Sequence, residues 1–164
     1  MAEQILTQEQ LHEVFDYIDG HLYWKKKIAK NIVVGSKAGW LSGAKNYDLM
    51  YQNKTYKIHR LIFAWHYGYF PKIIDHIDGN PLNNKINNLR EATHSQNLQN
   101  SKLRKDSKSG EKGVTWDKKV KKWRVSCVLN KKQYFGGYYK NLTEAIESVR
   151  KLRTRLHMEF ARYK

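Results

Sequence analysis

A polar break past the middle of the chain constrains its fold more than any other feature. From Ser101 to Gly113 the sequence reads Ser-Lys-Leu-Arg-Lys-Asp-Ser-Lys-Ser-Gly-Glu-Lys-Gly, with no large apolar residue after Leu103. A stretch like this has little to bury and reads as a linker. A 164-residue chain divided there must build two small cores in place of one. Charge follows the same division. Basic residues exceed acidic ones by 3 over residues 1–70, balance them over 71–100 and exceed them by 13 over 101–164, for a net charge of +16. Such an excess suits a polyanion, nucleic acid first, through phosphate neutralisation and counterion release. The lone cysteine, Cys127, excludes a disulfide framework and a cysteine-rich zinc site, and is expected in the core. There is no apolar run of about 18 residues. Met1–Leu11 carries neither a basic leader nor an apolar block. The expectation is a cytoplasmic protein, neither secreted nor membrane-bound.

Periodicity supplies the elements. Leu6, Leu11, Val14, Phe15 and Ile18 form one helical stripe, with a Thr7/Gln10 capping box, a Leu6–Leu11 staple and a stop at Gly20. Short strands are expected near His21–Lys25, Gly39–Leu41 and Asp48–Ile58, the last turning at Asn53-Lys54. His59–Tyr67 reads as an apolar helix closed by Gly68, and Lys72–Asp75 as extended chain. Beyond the break come strands near 113–117, 123–129 and 132–139, the last two joined at Asn130-Lys131. A helix over about Thr143–Phe160 would cover one sheet face with the stripe Leu142, Ala145, Ile146, Val149, Leu152, Leu156 and Phe160. The fold class is α+β, with a scaffold-plus-site module over 1–102, a linker over 103–111 and a three-stranded antiparallel sheet on one helix over 112–164.

The neutral segment carries groups suited to chemistry. Residues 73–100 read IIDHIDGNPLNNKINNLREATHSQNLQN, placing Asp75-His76 at a strand end before an Asn-rich loop. A helix is expected to start near Thr93. Histidine serves as a base near neutral pH. A carboxylate with an amide oxygen suits a hard cation such as Mg²⁺, completed by water. Asn83, Asn84 and Asn87 have a turn or capping role as their plain alternative. His94 lies close to the same set, and His12, His21 and His157 belong to no constellation.

The pattern Asp75-His76, Asn88 twelve residues after the histidine and Asn97 twenty-one after it resembles the HNH endonucleases. The match is to the branch of phage and mobile-intron enzymes that ends in Asn. Asp78-Gly79-Asn80, Asn84, Asn88-Leu89-Arg90 and His59-Arg60-Leu61 resemble that branch too. The resemblance implies a ββα-metal core over about 70–102 and a metal-dependent DNA endonuclease. In it His76 would activate water, Asn88 would hold the loop, and Asp75 and Asn97 would ligate one Mg²⁺ or Mn²⁺. Products would be a 5′-phosphate and a 3′-hydroxyl, with one strand nicked by a monomer in a phage-infected or bacterial cell. No structural zinc is implied. Arg60 and Arg90 would contact DNA.

The C-terminal third resembles the ethylene-response-factor type of DNA-binding domain. Gly113-Val114-Thr115-Trp116-Asp117, Lys122-Trp123-Arg124-Val125, Phe135-Gly136-Gly137-Tyr138 and Thr143-Glu144-Ala145 carry the likeness. It implies that the open sheet face meets double-stranded DNA through Lys112, Thr115, Arg124, Ser126, Lys132 and Tyr134, with Lys118 and Lys119 at its rim. Phe135 is expected to face inward. Thr115, Ser126 and Val128 stand where that family has arginines, so a plant-like GC-rich target does not follow. The alternative reading is a DNA-binding regulator with a non-catalytic HNH segment. An RNA platform ranks last, because no pair of surface aromatics is expected on the sheet.

Overall fold

Residues 6–43, 45–101, 103 and 106–157 are described by the computed structural model. Its contacts divide the chain into two units, Met1–Glu91 and Ala92–Lys164.

The first unit opens with α1 (Gln8–Val14), whose N-cap Thr7 and N3 residue Gln10 close the expected capping box. The helix ends at Val14, earlier than the stripe predicts. Phe15–Ile18 (β1) instead pairs antiparallel with His21–Trp24 (β2). Asp19-Gly20 forms the turn, with φ of 45° and 85° at its two residues. Asp-Gly is the hairpin signal here, and two positive φ values give the turn a twist that matches its strands. Trp40–Ser42 (β3), Asn46–Tyr51 (β4) and Lys54–Lys57 (β5) form a meander. Its second turn falls at Gln52-Asn53, one residue before the expected place. Helix α2 (Ile58–Tyr67) ends at Gly68 in the left-handed region. Its Ile58, Leu61 and Ile62 pack with Leu11, Phe15, Leu22 and Leu49 in the core. Full burial of each such side chain stabilises the fold by about 1.5–3 kcal/mol. Against this base sits the last hairpin, Ile74–His76 (β6) and Leu89–Glu91 (β7).

In the second unit α3 (His94–Gln99) begins at the capping box of Thr93 and Gln96. Val114–Asp117 (β8), Lys122–Leu129 (β9) and Lys132–Tyr139 (β10) make an antiparallel sheet in the order β10-β9-β8. Helix α4 (Leu142–His157) covers one face. Val114, Val125 and Cys127 from the sheet meet Ala145, Val149 and Leu152 from the helix. The expected end of that helix, at Phe160, lies outside the described residues.

Two expectations need correction here. The proposed linker 103–111 is not loose at its end: Ser109 and Glu111 are buried. Glu111 accepts from Arg150 at 3.0 Å and from Arg153 at 2.9 Å. Arg153 also donates to the Lys112 carbonyl. Charge alone made this segment look solvated, but a buried acid needs nearby cations and α4 supplies them. The unit boundary also falls before α3, ahead of the expected residue 102. Lys112 Nζ donates to the Gln99 carbonyl at 3.2 Å and the Asn130 N–H to Ser95 Oγ at 3.2 Å, so α3 is tied to the residues that follow it.

The second correction concerns which way the sheet residues face. The Asn130-Lys131 turn has two positive φ values, 49° and 64°, and sets Leu129 opposite Lys132. Directly opposed residues share a face. Tyr134 opposes Cys127 and Phe135 opposes Ser126. Lys132 and Tyr134 therefore lie on the α4 side, and Phe135 on the open side.

Candidate active site and nucleic-acid interface

Strand pairing builds the first part of the site. Asp75 on β6 stands opposite Arg90 on β7. The Arg90 guanidinium donates to Asp75 Oδ2 from Nε at 2.9 Å and lies within 2.8 Å through Nη2. Arg90, expected on DNA, is thus engaged by a buried carboxylate. Arg60 similarly donates to the Pro71 carbonyl at 2.8 Å, fastening α2 to the segment that enters β6.

His76 follows Asp75 and is half-buried. Its Nε2 lies 2.9 Å from Asn84 Oδ1. An amide oxygen only accepts, so in the neutral ring this hydrogen bond requires the proton on Nε2 and leaves the lone pair on Nδ1. Asn84 is itself buried, and its Nδ2 has no hydrogen-bond partner among the described residues. The His59 ring, from the first turn of α2, stands 5.2 Å from the His76 ring at 71°. His59 retains some exposed area yet is ringed by protein. Burial chiefly, then the charges of His76, Arg60 and Lys57, push its pKa down to about 4 against a smaller opposing effect of Asp48.

Asn88 braces the loop between these strands. Its Oδ1 accepts the Asp78 N–H at 3.0 Å, while Nδ2 donates to Asp78 Oδ1 at 3.0 Å and to the Asn83 carbonyl at 2.7 Å. Partial burial raises the Asp78 pKa, but donors from Asn83, Asn80 and Asn88 outweigh it and hold the carboxyl below its ordinary range. Tyr17 Oη accepts the Ile86 N–H at 3.0 Å and anchors the loop's far end.

The structure thus brings Asp75, His76 and Asn88 together in one hairpin. Asn97 is exposed on α3, in the second unit. The sequence marks Asn84 and His59 only as flanking residues of the HNH-like pattern, with no role for either beside His76. For Asn84 the signal is its place in the HNH-like pattern, eight residues after His76. The His59 contact depends on how α2 packs and has no local signal.

A family described as HNH endonuclease matches residues 56–99, a span covering β5 to α3 with all of these groups. The chain is 39% identical over 97 residues to "Protein 3.8" of Escherichia phage T7, covering 59% of this chain and 77% of that protein. Residues 56–99 form an HNH endonuclease segment. An uncharacterized HNH endonuclease of Acanthamoeba polyphaga mimivirus is 39% identical over 82 residues, covering 48% of this chain and 42% of that one. No solved structure matches. This HNH chain is accordingly a nuclease with a mixed α/β fold. No helix among its described residues is long and apolar enough to cross a membrane.

The second unit presents the other expected contacts. Thr115 is exposed, and Arg124 beside it in register is half-buried, its Nε without a hydrogen-bond partner among the described residues. Ser126 Oγ accepts from Gln133 Nε2 at 3.3 Å. Lys118 and Lys119 are exposed in the β8–β9 turn, which Asp117 caps by accepting the Lys119 N–H at 2.9 Å. Lys112 is directed to Gln99 and Ser101. Lys132 Nζ lies 5.6 Å from the Tyr134 ring.

Proposed function

We propose that this HNH nuclease hydrolyses a phosphodiester of duplex DNA in a metal-dependent reaction, nicking one strand to leave a 5′-phosphate and a 3′-hydroxyl. The observation that carries the reading is the His76 Nε2–Asn84 Oδ1 contact of 2.9 Å, which directs the lone pair of His76 to Nδ1. In the proposed step Nδ1 takes a proton from water as the water oxygen attacks phosphorus. The bond to the 3′ oxygen breaks, and the departing oxygen is protonated by solvent. Asn84 holds the imidazole against rotation, and Asn88 keeps the 78–83 loop in place.

The donor set fits a hard cation. Among the described residues no three His, Cys, Asp or Glu side chains gather as a metal cage. One carboxylate with amide oxygens and waters is the environment of Mg²⁺ or Mn²⁺, and zinc has no thiolates here. Asp75 and Asn97 are the residues that would hold it, one ion per chain. A cation there would supply positive charge at the scissile phosphate and the departing oxygen, in a segment whose side chains sum to zero.

We further propose that residues 112–164 form a DNA-binding module of the ethylene-response-factor type, with the open sheet face toward DNA and a monomer as the working form. Its support is the excess of 13 positive charges over residues 101–164. Supercoiled plasmid with Mg²⁺ or Mn²⁺ tests the whole reading. Persistent open circles that His76→Ala reduces by about 10²–10⁴-fold are expected. Undiminished cutting by that variant, or none by the parent chain with any divalent ion, overturns the reading. Duplex binding without cutting would indicate a regulator instead.

A further inference from the structure

The open face of the second unit's sheet is not the purely polar surface that phosphate contact requires. Val128, Phe135 and Tyr138 are 54%, 56% and 40% exposed on it. A β-bulge brings the last two together. Residues three apart on a regular strand point to opposite faces, but the register shifts between Phe135 and Gly137. Gly137 has φ of 115°, and a Cβ on Gly136 would lie 2.4 Å from Val125 Cγ1. Two glycines thus permit an aromatic pair with ring centroids 5.2 Å apart.

Register matches each apolar group with a polar one. Val128 stands opposite Gln133, and Phe135 opposite Ser126. Among base edges in the major groove, only thymine presents a methyl group. Its partner adenine presents N6 and N7, which a glutamine amide engages in bidentate fashion. Building on the reading that this sheet faces duplex DNA, we propose that its open face is selective for A·T pairs, with Val128 and Phe135 against thymine methyls and Gln133 toward adenine. Tyr138 backs Phe135, and its hydroxyl donates to Asp117 Oδ2 at 3.2 Å. Asp117 there stands opposite Lys122 in register, so the charges of that end are matched and phosphate contact falls to Arg124, Lys118 and Lys119. Stacking of unpaired bases fits less well, because successive stacked bases lie parallel while these two rings stand at 63°.

The test uses the full chain in EDTA, so that binding is read without cutting. Duplexes enriched from a randomised library are expected to carry fixed A·T pairs. Replacing thymidine by deoxyuridine in an enriched duplex removes only the methyl. Kd should rise roughly fourfold for one contacted methyl and about fifteenfold for two. Val128→Ala with Phe135→Ala should bring the two Kd values together without changing the far-UV circular dichroism melt. Equal affinity for both duplexes, enrichment without A·T preference, or tighter binding to single strands or RNA overturns the inference. A chain that still nicks plasmid in that case leaves the nuclease reading standing; one that neither binds nor cuts duplex DNA removes both.

Discussion

Each unit holds a buried carboxylate against arginine, and the two pairs differ in a way that separates scaffold from site. Glu111 is bound through both oxygens, Oε2 by Arg150 and Oε1 by Arg153, and Arg153 is as deeply buried as the acid. Asp75 meets Arg90, whose Nε and Nη2 both lie against Oδ2. The first pair ties the segment before β8 to α4. The second stands beside His76 at the end of β6. The Glu111 pairs join two elements of the second unit, whereas Asp75 and Arg90 stand on paired strands next to His76.

Glu111→Ala should break that contrast most visibly. It leaves Arg153 buried without its counter-ion, which typically costs about 3–5 kcal/mol. Chemical denaturation should show the loss in the second unit. An unchanged midpoint would mean that Glu111 does not hold the fold. Asp75→Asn keeps an oxygen for Arg90, and should lower metal-dependent cutting by about 10²–10³-fold with a smaller loss of midpoint than Glu111→Ala. Equal cutting by the variant would remove Asp75 from the site.

Acid should act on the first unit through His59. Burial and its cationic neighbours hold the His59 pKa down to about 4, below the ordinary value of 6.5. Between those values the unfolded chain binds a proton that the folded chain does not, so stability falls as pH drops from about 6.5 toward 4, by up to about 3 kcal/mol. His59→Phe should flatten that slope in equilibrium unfolding. A slope unaffected by the substitution would assign the acid sensitivity elsewhere.

How legible each region was from sequence follows the same physics. Both capping boxes, the α2 stop at Gly68 and the β9–β10 turn depend on neighbours in the chain and were readable there. The end of α1 was not, because Phe15 and Ile18 satisfy a helical stripe and a strand alternation alike; the Asp19-Gly20 turn decides between them. Alternation also misled at β10. It does not reveal that a two-residue turn pairs Leu129 with Lys132, or that Gly136-Gly137 shifts the register. In the site, Asp75, His76 and Asn88 were marked by the resemblance to the HNH pattern. The Asn84 contact to His76 was not, since an asparagine in an Asn-rich loop has many local uses and only the folded loop selects one.

That contact offers the finest division between structure and chemistry. Asn84→Ala removes the acceptor of His76 Nε2, a buried hydrogen bond whose loss costs about 1–3 kcal/mol, or roughly ten- to hundredfold in rate if it falls on the transition state. It should lower kcat with KM little changed, because Asn84 orients the base and does not hold DNA. Asn84→Asp keeps an acceptor and adds a negative charge that favours the imidazolium. The acid limb of the kcat/KM profile should then move to higher pH while cutting persists above it. A merely structural asparagine would lower folded protein in both variants and leave that limb where it was. If the limb stays in place and both variants lose only stability, Asn84 is a packing residue of the loop and His76 is oriented by other groups.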